Sequence, residues 1–141
     1  MPREVVLLHV ERTLLLASAG IAAEIVFTAL GNYKKNGIRL IGYSYVWMLP
    51  IYMLLYPGFA FLTPIAGGWA WPLRGAFYAA LIMVFELITG LILRHTIGEA
   101  PWEPEYRGHK WAIMSLVRLD YFPAWAAAAL VFERGYRLLT P

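Results

Sequence analysis

The sequence predicts an all-α integral membrane protein, a bundle of four transmembrane helices with an interfacial loop between the third and the fourth. Three observations carry this. Hydrophobic residues make up 60% of the 141 and charged residues only 15%, against roughly 45–50% and about 25% in ordinary soluble domains. A soluble chain this short has too much surface to leave so little of it charged. Four apolar runs also approach the ~20 residues that cross about 30 Å of hydrocarbon as a helix, and charged residues or proline bound them.

The first run is Thr13–Gly31, between Glu11-Arg12 and Lys34-Lys35. Met1 to Val10 reads either as a short interfacial helix or as the lead-in to this span. The second run, Tyr43–Leu62, contains Pro50 and Pro57. Proline is tolerated in a membrane helix because neighbours can satisfy the carbonyls it frees, so kinks are predicted there and at Pro123. Thr63 to Pro72, rich in Pro, Gly and Trp, reads as an interfacial turn. The third run is Leu73–Leu93, closed by Arg94, and the fourth is Leu116–Phe132, closed by Glu133-Arg134. Short connections make neighbouring spans antiparallel, in one domain covering residues 1–141. Lysine and arginine slightly favour the two odd-numbered loops, which the positive-inside rule places in the cytoplasm.

Several chemistries are excluded. Without cysteine there are no disulfides, thiolate metal sites or thiol nucleophiles. His9, His95 and His109 lack ligand spacing, so no metal and no cofactor are expected. A net charge of +3 suits anionic headgroups but is too diffuse for nucleic acid. Ser18, Ser44 and Ser115 occupy no nucleophile-elbow context, and no P-loop is present. The protein is expected to be non-enzymatic. No cleavable signal peptide is expected, because the first apolar run lacks a small-residue cleavage site. No internal repeat supports an inverted-repeat transporter within one chain.

The polar residues inside the spans are the candidate site. Glu24 lies midway along the first run and Glu86 past the middle of the third, and these two runs point the same way. Ionisable groups at that depth are costly and normally face the bundle interior. If the two carboxyls meet, repulsion and desolvation favour a shared proton or a bound cation. Gly20, Glu24 and Thr28 share a helix face, as do Glu86, Gly90 and Arg94, and small residues there also permit close helix packing. Both acids therefore read equally as packing determinants hydrogen-bonded to Ser18, Thr28, Thr89 or tyrosine hydroxyls. Arg94 and Asp120 fall at the same membrane face and are expected to pair. Trp102, Arg107, His109 and Lys110 lie in the long His95–Met114 connection and are expected at the headgroups. Glu133 reads as an interfacial end-stop.

With these residues assembled, the chain resembles a family of small multi-pass membrane proteins labelled ABC-transporter type IV, or CmpB-like, whose animal branch is transmembrane protein 229. The resemblance covers roughly Leu14 to Gly135. It rests on "AEIVFTA", "SYVWMLPIY", "FELITGLILR", "APWEPEY", "LDYFPAW" and a final "FE". It implies a four-helix fold and singles out Glu24, Trp47, Glu86, Gly90, Arg94, Trp102 and Asp120. One departure is Glu103-Pro104 after Trp102, where the family usually has Asp-Tyr.

The expected function is transport-related or accessory, with Glu24 and Glu86 as a proton or cation site. The alternatives are an assembly subunit of a larger membrane complex or an interfacial lipid-binding protein. The bilayer is the expected partner, together with further copies of the chain or another membrane subunit. Whether the membrane is a bacterial inner membrane or a eukaryotic one stays open.

Overall fold

The computed structural model describes residues Pro2–Pro141 and is mainly helical. Three helical stretches, Arg3–Gly31, Met48–Ala66 and Trp71–Ile97, are long and apolar enough to cross a membrane. The chain divides into two compact units, one of residues up to Pro64 with Gly135–Pro141, the other Ile65–Arg134.

In the first unit α1 runs Arg3–Gly31, so the leading residues extend the span rather than forming a separate element. At about 1.5 Å per residue its 29 residues exceed the hydrocarbon thickness. Its buried positions are mostly small: Ala17, Gly20 and Ala29, with Leu16. A short α2, Tyr33–Asn36, and a 3₁₀ turn, Gly37–Arg39, follow. The chain then returns along α1. A Cβ at Gly42 would lie 1.9 Å from the Ile25 carbonyl oxygen and 2.9 Å from the Ala29 Cβ. Thr28 Oγ1 accepts the Tyr43 N–H at 2.9 Å. Its own proton faces the carbonyls of Ile25 (3.0 Å) and Tyr43 (2.9 Å). Thr28 thus secures the returning backbone.

The second apolar run is extended through Tyr43–Tyr45 and becomes helical at α3, Met48–Met53, then α4, Leu55–Ala66. Pro57 explains the break at Leu54: it has no N–H to offer the Met53 carbonyl, and its ring crowds that oxygen. Pro50, in the first turn of α3, starts a helix instead of kinking one. Tyr52 of α3 packs on Gly20, where an added Cβ would lie 2.4 Å from the ring. Tyr56 and Phe59 are buried with centroids 5.5 and 6.1 Å from the Tyr136 ring. His9 Nδ1 lies 2.9 Å from the Tyr56 hydroxyl.

In the second unit the turn after α4 is shorter than the sequence suggests, because Thr63 to Ala66 stay helical. The helix α5 spans Trp71–Ile97 with Pro72 in its first turn, where a missing N–H costs nothing. It ends at Gly98, whose φ of 92° and N–H bond to the Arg94 carbonyl form a left-handed cap. Next come α6, Glu103–Tyr106, and a hairpin of β1, Ala112–Ile113, with β2, Val117–Arg118. A 3₁₀ turn, Leu119–Tyr121, leads into α7, Phe122–Leu139.

The helix expected as the fourth span starts and ends later than the sequence suggests, and it is not among the three helices long and apolar enough to cross a membrane. Leu116 to Asp120 are hairpin and turn, Pro123 opens α7 rather than kinking it, and Glu133, Arg134 and Arg137 lie within its 18 residues. Near the start of α5, Gly75 admits Leu130 of α7, 3.0 Å from where a Cβ would stand.

Candidate functional site

One face of α5 carries Gly75, Ala79, Met83, Glu86, Gly90 and Arg94 at steps of three or four residues, a single stripe on a helix. All are buried or half-buried, whereas Val84, Ile88 and Ile92 on other faces are exposed. In its second half this stripe is covered by the collar, residues 98–121.

The covering proceeds turn by turn. Two turns before Arg94, the Tyr106 hydroxyl donates to Glu86 Oε1 at 3.0 Å. One turn before it, Gly90 receives Leu116 and Trp102; a Cβ there would lie 2.8 Å from Leu116 Cδ2 and 3.3 Å from Trp102 Cζ2. Arg94 itself pairs with Glu103 at 2.9 Å and donates to the Met114 carbonyl at 2.6 Å. Glu86, Gly90 and Arg94 therefore share a face as the sequence predicts, and that face receives the collar.

Trp102 is buried. Expected at the headgroups, it is only 6% exposed and donates its indole N–H to the Leu116 carbonyl at 2.9 Å. Ala100, Tyr106, Leu116 and Val117 are the other buried residues of the collar. The expected Arg94–Asp120 pair is also replaced. Arg94 takes Glu103, closer in sequence, while Asp120 receives two bonds from Arg118, at 3.1 and 2.5 Å.

Arg118 organises the outer part of the collar. It donates to the Tyr121 hydroxyl at 2.8 Å, lies 3.1 Å from His109 Nε2, and stands 4.0 Å from the Tyr121 ring centroid. Tyr121 meets Tyr106 edge to face at 6.0 Å. Arg107 pairs with the exposed Glu99, and Lys110 sits 5.6 Å above the Trp111 ring. Of the headgroup candidates, Arg107 and Lys110 are exposed and His109 is half-buried.

The electrostatics follow from these contacts. Burial, then the Glu86 carboxylate, pushes the Tyr106 hydroxyl far above its ordinary range, so it stays a proton-bearing donor. Burial likewise raises Tyr121. The Arg94 guanidinium holds the Glu103 carboxyl below the usual range, and Arg118 does the same for Asp120.

Glu24 is half-buried on α1 in the first unit and Glu86 is half-buried in the second. Ser18 is exposed and Thr28 is engaged with Tyr43. Thr89 bonds the Phe85 carbonyl at 2.8 Å. Among the proposed partners of Glu86, a tyrosine hydroxyl is present, that of Tyr106.

Sequence reasoning missed a second charged cluster. Glu133, 2% exposed, is a buried acid rather than an end-stop. Arg74 Nε meets its Oε2 at 2.8 Å, and the Tyr78 hydroxyl donates to Oε1 at 3.2 Å. Arg74 Nη1 also bonds the Trp69 carbonyl at 2.8 Å, fastening the turn before α5. A signal was present: Arg74 stands at the start of the third apolar run and Glu133 directly follows the fourth.

No group of three or more metal-ligating side chains occurs among the described residues. Comparison with family models, characterised proteins and solved structures finds no match.

Proposed function

We propose that this is a multi-pass membrane protein with a transport-related role, acting with further copies of itself or another membrane subunit. Its working group is Glu86, which takes up a proton or a small cation. One observation carries the reading: the hydroxyl of Tyr106 is directed at the Glu86 carboxylate, 3.0 Å away, inside a helix apolar enough to cross a membrane. An acid in that setting is expensive to keep, and a donor aimed at it stabilises the charged, ligand-accepting form. The likeness of "FELITGLILR" to the CmpB-like family favours the same helix. Glu24, on α1 of the first unit, is a separate candidate acid.

The test is proton flux into proteoliposomes, read with an internal pH-sensitive dye under an imposed potassium-diffusion potential, and cation flux measured in parallel. Glu86→Gln is expected to lower the flux at least tenfold and Glu24→Gln to lower it less. Flux in Glu86→Gln equal to that of the unmodified protein, or none above protein-free vesicles in either, overturns the proposal.

The reading also takes α7 as a fourth crossing, which at 18 residues rises about 27 Å. Both termini then share one side of the membrane. Because the chain has no cysteine, single cysteines at Arg3 and Thr140 report their sides to an impermeant maleimide. Labelling from the same side is expected; opposite sides would remove the fourth crossing.

A further inference from the structure

The hairpin of the collar is built against the usual chemistry of its turn. Leu116 N–H closes it onto the Ile113 carbonyl at 2.9 Å, and both central residues, Met114 and Ser115, have positive φ, 54° and 58°. Such positions favour Asn and Gly, and side-chain-bearing residues are strained in them. In water, Met114 would add the exposure of a large apolar group to that strain. It is 55% exposed, with Ile113 at 43% and Trp111 at 49%.

Three carbonyls of the same hairpin are met by protein donors. Arg94 bonds the Met114 carbonyl, Trp102 the Leu116 carbonyl, and Leu119 N–H the Trp111 carbonyl at 3.0 Å. Backbone whose hydrogen bonds are met by protein is the kind tolerated at membrane depth. Arg94, Arg107 and Arg118 are each paired with a carboxylate of the collar. Lys110 rests over Trp111, its long stem suited to reach water from an apolar surface.

Depth agrees. From Arg74 to Arg94 the rise at about 1.5 Å per residue is about 30 Å, one hydrocarbon thickness. Met114 is therefore fixed at the level where that hydrocarbon gives way to headgroups. Leu91 and Ile92, in the last turns of α5, are also exposed.

We infer that the hairpin tip, Trp111 with Ile113 and Met114, is a lipid-contacting wedge seated at the headgroup–acyl boundary of the protein's own bilayer. Its occupant is phospholipid: acyl chain against Met114 and Ile113, phosphate near Lys110. The inference rests on the membrane-crossing reading of α5. It keeps Lys110 from the expected headgroup set and adds acyl contact by Trp111, Ile113 and Met114, which that set did not include.

Site-directed spin labels on the cysteine-free chain test it in phospholipid nanodiscs. M114C and, separately, I113C are labelled, with I92C as the lipid-facing standard and K34C as the water-facing one. Oxygen is expected to relax the labels at 113 and 114 severalfold more effectively than a water-soluble nickel chelate does, as at 92 and opposite to 34. Two variants keep the test intact if one fails to fold. Nickel access at 113 and 114 with oxygen access at 92 overturns the wedge alone. Nickel access at 92 overturns the membrane crossing itself. Access by neither reagent at 113 and 114 means a second copy covers the tip, which also overturns the wedge.

Discussion

Replacing Gly42 with alanine is expected to lower the thermal midpoint of the detergent-solubilised protein by about 10 °C, followed by circular dichroism. The new methyl carbon would fall 1.9 Å from the Ile25 carbonyl oxygen and 2.9 Å from the Ala29 Cβ. Both obstacles belong to α1, and the first is backbone, so no side-chain rotation relieves them. The returning strand must lift, and Tyr43 then loses its bonds to Thr28. Overpacking costs about 1–3 kcal/mol, and the lost hydrogen bonds put this substitution at the upper end. At this chain length about 3 kcal/mol corresponds to about 10 °C. Gly20→Ala makes a useful contrast. The nearest obstacle to its methyl is the Tyr52 ring, at 2.4 Å, and a ring can tilt, so a smaller loss is expected. Gly58→Ala meets nothing within 4 Å. It should be neutral or stabilising by up to about 1 kcal/mol, the helix-propensity gain. A Gly42→Ala midpoint equal to that of Gly58→Ala would mean that the strand does not lie on α1.

The contrast among these glycines reflects what a sequence encodes locally. The stripe Glu86, Gly90, Arg94 is legible because helical spacing alone puts the three on one face. What meets that face is not legible, because the collar's contacts are made by residues far along the chain. Trp102 looks like an interfacial tryptophan because it stands among prolines and charges. Its burial depends on Leu116, 14 residues on, offering a carbonyl. The hairpin is hidden for a different reason: Met114-Ser115 carries no turn signal, and the run from Leu116 to Phe132 reads as one apolar segment. Length and hydropathy detect a helix there but cannot place its start, which Pro123 marks. Conversely, the break at Leu54 follows from Pro57 by the i−4 rule, so a kink was the right expectation for that proline alone.

The Arg74–Glu133 pair shows how burial decides the size of an electrostatic effect. The carboxylate side chain is 3% exposed and the guanidinium 19%, so the pair is largely desolvated. Removing one partner of such a pair costs about 3–5 kcal/mol, because it strands the other charge. Arg74→Ala is expected at the upper end. It leaves a nearly sealed carboxylate and also releases the Trp69 carbonyl that Arg74 holds. Glu133→Ala is expected at the lower end, since the surviving guanidinium is the more exposed group and keeps its bonds to the turn. Removing both charges together, as Arg74→Met with Glu133→Leu, substitutes apolar volume for the pair. Such replacements are often neutral, so this double variant should lose less than either single variant, keeping chiefly the cost of the released Trp69 carbonyl. The excess of the summed single losses over the double loss is the coupling. Chemical-denaturation midpoints for the three variants supply it. Coupling near zero would mean the pair is solvated, and the helix contact at Gly75 would then have to hold α5 and α7 together by packing alone. Coupling of several kcal/mol would mean that the opening of α5 is fixed to α7 by charge as well as by the packing at Gly75.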